Sequence, residues 1–127
     1  MKSTIAIIFS VFATAIIAAP AGTTFPSVTV SLANDLSGAN GHATIEANGQ
    51  DRSISQLFKN TPVGTNGHVV ASSAQLTNFP QGVFCIIKKG DAPIGILNFR
   101  RTFADLDGNP HTAIPQNLDG AILNCQV

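Results

Sequence analysis

The 127-residue chain carries seven Lys+Arg against seven Asp+Glu, and charged residues make up only 11% of it. That balance provides neither the one-sided basic footprint of a nucleic-acid binder nor an acidic solvating tail, while 44% apolar residues suffice for the core of one domain. Eight Phe but no Trp or Tyr leave it without the large aromatic platforms on which sugars and bases stack, which counts against a lectin or a base-stacking RNA-binding module.

Met1-Lys2 gives a short positive start. Ile5 to Ile17 is then apolar except for Ser10 and Thr14, and the small residues Ala18, Ala19, Pro20 and Ala21 follow. Charged, apolar, small is the order of a secretory signal peptide. Residues 1–19 are assigned to it, with the cut falling somewhere in 18–21, and residues 20–127 form a single β domain. The apolar stretch is shorter than the roughly 20 residues that span a bilayer, so no membrane span is expected. Losing Lys2 leaves six basic against seven acidic residues, which excludes a cationic antimicrobial protein.

In the mature chain, Ser27–Leu32 alternates strictly and puts Val28, Val30 and Leu32 on one face of a half-buried strand. Asn34–Gly41 is rich in turn formers and is expected to be a loop. His42–Ala47 is a second strand, closed by the Asn48-Gly49 turn signal. Ile54, Leu57 and Phe58 fall at helical spacing behind Asp51 or Ser53 as a cap, so one short helical turn is expected there, ended by Thr61-Pro62. Strand character resumes over His68–Leu76, and a Phe79–Gly82 turn leads into Val83–Ile87, whose apolar run predicts burial on both faces. Lys88–Asp91 is a hairpin tip and Ile94–Phe103 its return strand. Asp105–Pro110 is a turn cluster, and Ala121–Cys125 closes the chain. Six or seven short strands separated by turns indicate an all-β fold, a compact sandwich or small barrel.

Cys85 and Cys125 are the only cysteines. In an exported chain they are expected to form one disulfide, since neither a CxxC spacing nor an adjacent His favours a metal or a reactive thiol. The bond would pin the C-terminus to an interior strand. No Asn-x-Ser/Thr sequon occurs, because Asn60-Thr61-Pro62 has Pro in the hydroxyl position.

Candidate chemistry is sparse. His42, Glu46 and His111, with Arg100, supply the residue types of a small hydrolase or nuclease, but strand rise separates His42 from Glu46 by roughly 13 Å. Asp105, Asp107 and Asn109 have the spacing of half a calcium loop without its closing Glu and flanking helices, so an Asp-Gly turn is the expectation. No Gly-x-Ser-x-Gly elbow or phosphate loop occurs. Arg100 and Arg101 would lie on opposite strand faces, suited to ion pairs with Asp105 or Asp107. No cofactor is expected.

Two segments, Val30–Asn40 and Phe103–Pro110, together with the signal peptide, the β pattern and the cysteine pair, resemble small secreted proteins of filamentous fungi. Several of these act as elicitors of plant cell death or as candidate effectors. The resemblance implies an extracellular, non-enzymatic protein perceived by a host plant, with a host surface receptor or a cell-wall component as partner and no nucleic acid. Recognition would fall to the loops, through Asn34, Asp35, Asn40, Asp107 and Asn109. A structural cell-wall protein is the remaining alternative, though two cysteines do not make a hydrophobin-like coat.

Overall fold

Val28, Val30 and Leu32 are fully buried, as the alternation along this segment requires: every second side chain of a strand meets the same face. They lie on β1 (Ser27–Asn34), the first element of a computed structural model that describes residues 24–127. The expected secretory segment lies outside the described residues. β2 (Ala39–Glu46) follows, then β3 (Arg52–Ser53), α1 (Ile54–Leu57), a kinked 3-10 segment (Pro62–Gly67), β4 (Val70–Ala71) and β5 (Ser73–Asn78). The second half holds β6 (Phe84–Lys89), β7 (Ala92–Asn98), β8 (Phe103–Asp105), β9 (Gln116–Asn117) and β10 (Ala121–Gln126).

The strands form two four-stranded antiparallel sheets, β2-β1-β5-β8 and β3-β10-β6-β7, with β4-β9 as a separate pair. Buried side chains of both sheets join in one core, among them Val30, Ile45 and Leu76 from the first and Ile87, Leu97 and Leu123 from the second. The fold is all-β, with the two sheets packed on that shared core. Six strands reach six residues or more, while β3 and β8 are short edge strands of the two sheets. Among the described residues no helix is long and apolar enough to cross a membrane.

The helical turn forms where expected. Ser53 caps it by accepting from the Gln56 amide at 3.3 Å, and Ile54 and Phe58 enter the core. Cys85 and Cys125 are directly opposed on neighbouring strands β6 and β10, their Cα atoms 4.1 Å apart, and they are bonded. Both sulfurs point into the core. β10 lies between β3 and β6, so the C-terminal strand is interior to its sheet.

Four expectations are corrected by the backbone. The Asn34–Gly41 loop contracts to Asp35–Gly38, because Asn34 Oδ1 accepts from the Leu36 and Ser37 amides while Gly38, at φ 84°, donates to the Asn34 carbonyl at 2.8 Å. Asn40 accordingly sits in β2. His68–Leu76 is not one strand but breaks at Ser72, whose amide turns to the Ala33 carbonyl. Ile94–Phe103 breaks at Asn98: its side-chain oxygen accepts from the amides of Arg100 and Arg101, both at 2.8 Å, and redirects the chain from one sheet to the other. Such Asx turns compete with strand continuation. Val83–Ile87 is central in its sheet but not buried on both faces, since Phe84 is exposed and Ile86 partly so.

Candidate functional site

Ser72 and Ser73 are the only buried polar residues among those described, and they explain how two distant loops meet. Ser72 Oγ accepts from the Asp35 amide at 2.9 Å and donates to Asp35 Oδ2 at 2.7 Å, and Ser73 Oγ donates to the same oxygen at 2.8 Å. Buried hydroxyls need partners, and one carboxylate oxygen serves both. Ser73 also pairs with Asp105 across β5 and β8, and the Leu106 amide donates to the Ser72 carbonyl at 2.9 Å. The Asp35–Gly38 hairpin and the loop after Asp105 are therefore tied to the same two residues.

The second loop is folded by its own side chains. Asp107 Oδ1 accepts from the Asn109 amide at 2.8 Å, Asn109 Oδ1 from the amides of His111 and Thr112, and Asp107 Oδ2 from the Ile114 amide at 2.7 Å. The Asp-x-Asp-x-Asn spacing thus builds consecutive Asx turns around Gly108, at φ 70°. Among the described residues no group of three or more His, Cys, Asp or Glu is arranged to hold a metal ion.

Between the loops lies a cavity of about 350 Å³, lined by Asp35, Ser73, Phe103, Asp105, Asp107, Asn109 and His111 among others. Sharing a hydrogen bond with Asp107 raises the Asp105 carboxyl above its ordinary range, helped by desolvation and by the charges of Asp107 and Asp35. The Ile114 amide, with the bonds from Asp105 and Asn109, lowers Asp107. Opposite pH effects follow. Folding disfavours ionised Asp105, so Asp105→Asn is expected to raise stability at pH 7, with the gain fading as pH falls through the raised value and gone by about pH 3, where the carboxyl is protonated in both states. The Asp107 contribution is present above the ordinary carboxylate range and is lost as pH falls through its lowered value. Asp107→Asn is therefore expected to lower stability at pH 7. Urea midpoints of both variants from pH 3 to pH 7 check the two signs.

The hydrolase candidates do not converge. His42 and Glu46 are exposed on the outer face of β2, with Thr44 between them bonded to Thr29 across the sheet at 2.8 Å. Glu46 borders a different cavity, which it shares with Arg52, while His111 lines the loop cavity. Arg100 and Arg101 are exposed around the turn rather than on opposite faces of a strand. Arg100 stacks over Phe99 at 5.3 Å, and neither forms an ion pair among the described residues. A His–carboxylate hydrogen bond does form, His68 Nδ1 with Asp119 Oδ2 at 2.6 Å, and was not expected. That hydrogen bond, with the one from the Val69 amide, lowers Asp119. The pair spans 51 residues and depends on β4 meeting β9, for which no local pattern exists. The roles of Ser72 and Ser73 did leave a signal: two adjacent small polar residues inside a run whose alternation must bury at least one.

Searches with the sequence and the structure find no matching family model, curated protein or solved structure.

Proposed function

We propose that this is a secreted protein that acts by surface recognition, as an elicitor of plant defence or a candidate effector, with a host surface receptor or a wall component as partner. The observation that carries the reading is the junction of the two loops. The segments Val30–Asn40 and Phe103–Pro110, set apart by their resemblance to small secreted fungal proteins, lie on either side of one cavity and are joined through Ser72 and Ser73. Loops held by a rigid sheet bind with little ordering cost.

Leu36 supplies an anchor. It stands at the hairpin tip, 72% exposed, beside Asp35, and a protruding apolar side chain next to carboxylates suits a partner with an apolar pocket rimmed by donors or cations. The disulfide supports an oxidising destination, in keeping with the secretory segment expected at residues 1–19. Neither the hydrolase nor the wall-coat alternative gains a specific observation.

Purified protein infiltrated into leaf tissue is expected to elicit a response at micromolar dose. Leu36→Asp is expected to weaken it at least tenfold while leaving the circular dichroism and the urea midpoint unchanged. No response from the parent protein, beside a responding positive control, overturns the elicitor reading.

A further inference from the structure

The open edge of the second sheet adjoins the recognition cavity and shares Phe103 and Asp105 with it. β7 is the last strand of that sheet, and among the described residues no strand pairs with its outer side. The Phe99 amide turns inward to the Val83 carbonyl and the Asn98 amide outward to the Arg101 carbonyl, so by alternation Ile96 presents its N–H and C=O at the open edge. Its side chain is 44% exposed, and Phe103, 52% exposed, stands across a groove of about 470 Å³. Natural edges are commonly shielded by lysines, inward charges or covering loops. Here Pro93 blocks only the beginning of the strand.

The groove has unlike ends. Arg101 lies at the Asn98 end, joined to it by the turn. Asp105 lies at the other, next to Ala104, whose Cβ is 3.6 Å from where a Gly95 side chain would begin. A groove that is positive at one end, negative at the other and apolar between is complementary to itself after a half-turn. In an isologous contact each residue meets the other's counterpart, so Arg101 of each copy meets Asp105 of its partner. Antiparallel pairing of two β7 strands on that axis puts Ile96 opposite Ile96, where each supplies the donor and acceptor that the other lacks.

We infer that a second copy of this chain occupies the groove, giving a two-fold dimer in which the β7 edges pair and the four-stranded sheets join into one of eight strands. The inference is independent of the recognition reading, because it is tested by mass in solution and not by a biological response.

Sedimentation equilibrium of the purified protein, expressed from its full sequence, is expected to show a monomer–dimer equilibrium over micromolar to millimolar concentration. Arg101→Asp and Asp105→Arg, each breaking two symmetry-related contacts, are each expected to weaken the dimer about tenfold. The double variant restores both contacts with reversed sign and is expected to recover most of the affinity. Ile96→Lys, at an exposed position, is expected to abolish association with no change in circular dichroism. A monomer at every concentration overturns the proposal, even if the groove then accepts a foreign peptide. A dimer indifferent to the charge reversals and to Ile96→Lys overturns it too, since another surface would be responsible.

Discussion

Replacing Cys85 and Cys125 together by Ala is expected to lower the unfolding free energy by about 4 kcal/mol, the chain-entropy value for a loop of this length, and the melting temperature by roughly 20 °C. The separation of 40 residues is long enough for most of that entropy to be released to the unfolded chain. Folded-state losses act in the same direction. Both sulfurs are fully buried, so the variant leaves a gap between Ile87, Leu97 and Leu123 on the inner face of the second sheet. β10 then keeps its ladders to β6 and to the two-residue β3, with the Asn48–Gln126 bridge beside them. Domains of this size have about 5–15 kcal/mol in all, so a loss of this order leaves a marginal protein. A urea titration showing a lower midpoint at unchanged slope is the expected signature. A loss under about 1 kcal/mol would show that neither the loop entropy nor the packing of the sulfurs controls the fold.

The parts of this structure legible in the sequence share a property: each depends on contacts within a few residues or on a strict period. β1 was readable because Val28, Val30 and Leu32 alternate without a fault, and α1 because Ser53 precedes Ile54, Leu57 and Phe58 at helical spacing. The disulfide needed only a count of two. Where strands end was harder, because the deciding groups were asparagine side chains. Asn98 looks like one polar position in an alternating run, yet its side-chain oxygen captures two amides and turns the chain into the other sheet. The same chemistry shortened the Asn34 loop. The turn formers of Asp35–Gly38 and of the loop after Asp105 are legible in the sequence, but the meeting of these loops is not, since Asp35 reaches Ser72 and Ser73 across 37 and 38 residues. His68 with Asp119 is the same case. A pairing set by sheet order leaves no trace in local pattern until the sheet order is known.

Gly64 shows how a residue with no local signal can control a fold, and Gly64→Ala is expected to destabilise the protein by about 3 kcal/mol, the upper end for overpacked core positions. Backbone conformation is not the reason. Gly64 has φ −110°, which other residues adopt freely. Space is the reason: a Cβ there falls inside contact distance of the Phe58 carbonyl oxygen, 2.8 Å from its carbon and 3.0 Å from Lys59 Cα. These are backbone atoms, and they have nowhere to go. The Phe58 ring is fully buried, and its carbonyl accepts from the Thr61 amide at 3.1 Å and the Thr61 hydroxyl at 2.8 Å. Thr61 is itself wedged against β2, where a Cβ on Gly41 would stand 2.5 Å from the Thr61 Cβ. Relief therefore requires either drawing Phe58 out of the core or lifting Pro62–Gly67 from the sheet. The second movement reaches the recognition surface, because Val63 and Thr65 share a cavity with Asn34 and Ser37 at the foot of the hairpin. Gly67→Ala is the matched control: Gly67 has open space but φ 79°, so its substitution should cost about 1 kcal/mol through backbone strain alone. If urea unfolding finds Gly64→Ala no worse than Gly67→Ala, the wedge of Phe58, Thr61 and Gly41 does not hold this part of the fold. If it is worse by the expected margin, the hairpin amides of Leu36 and Ser37 should also shift in NMR spectra of whatever Gly64→Ala remains folded, since the segment beneath them has moved.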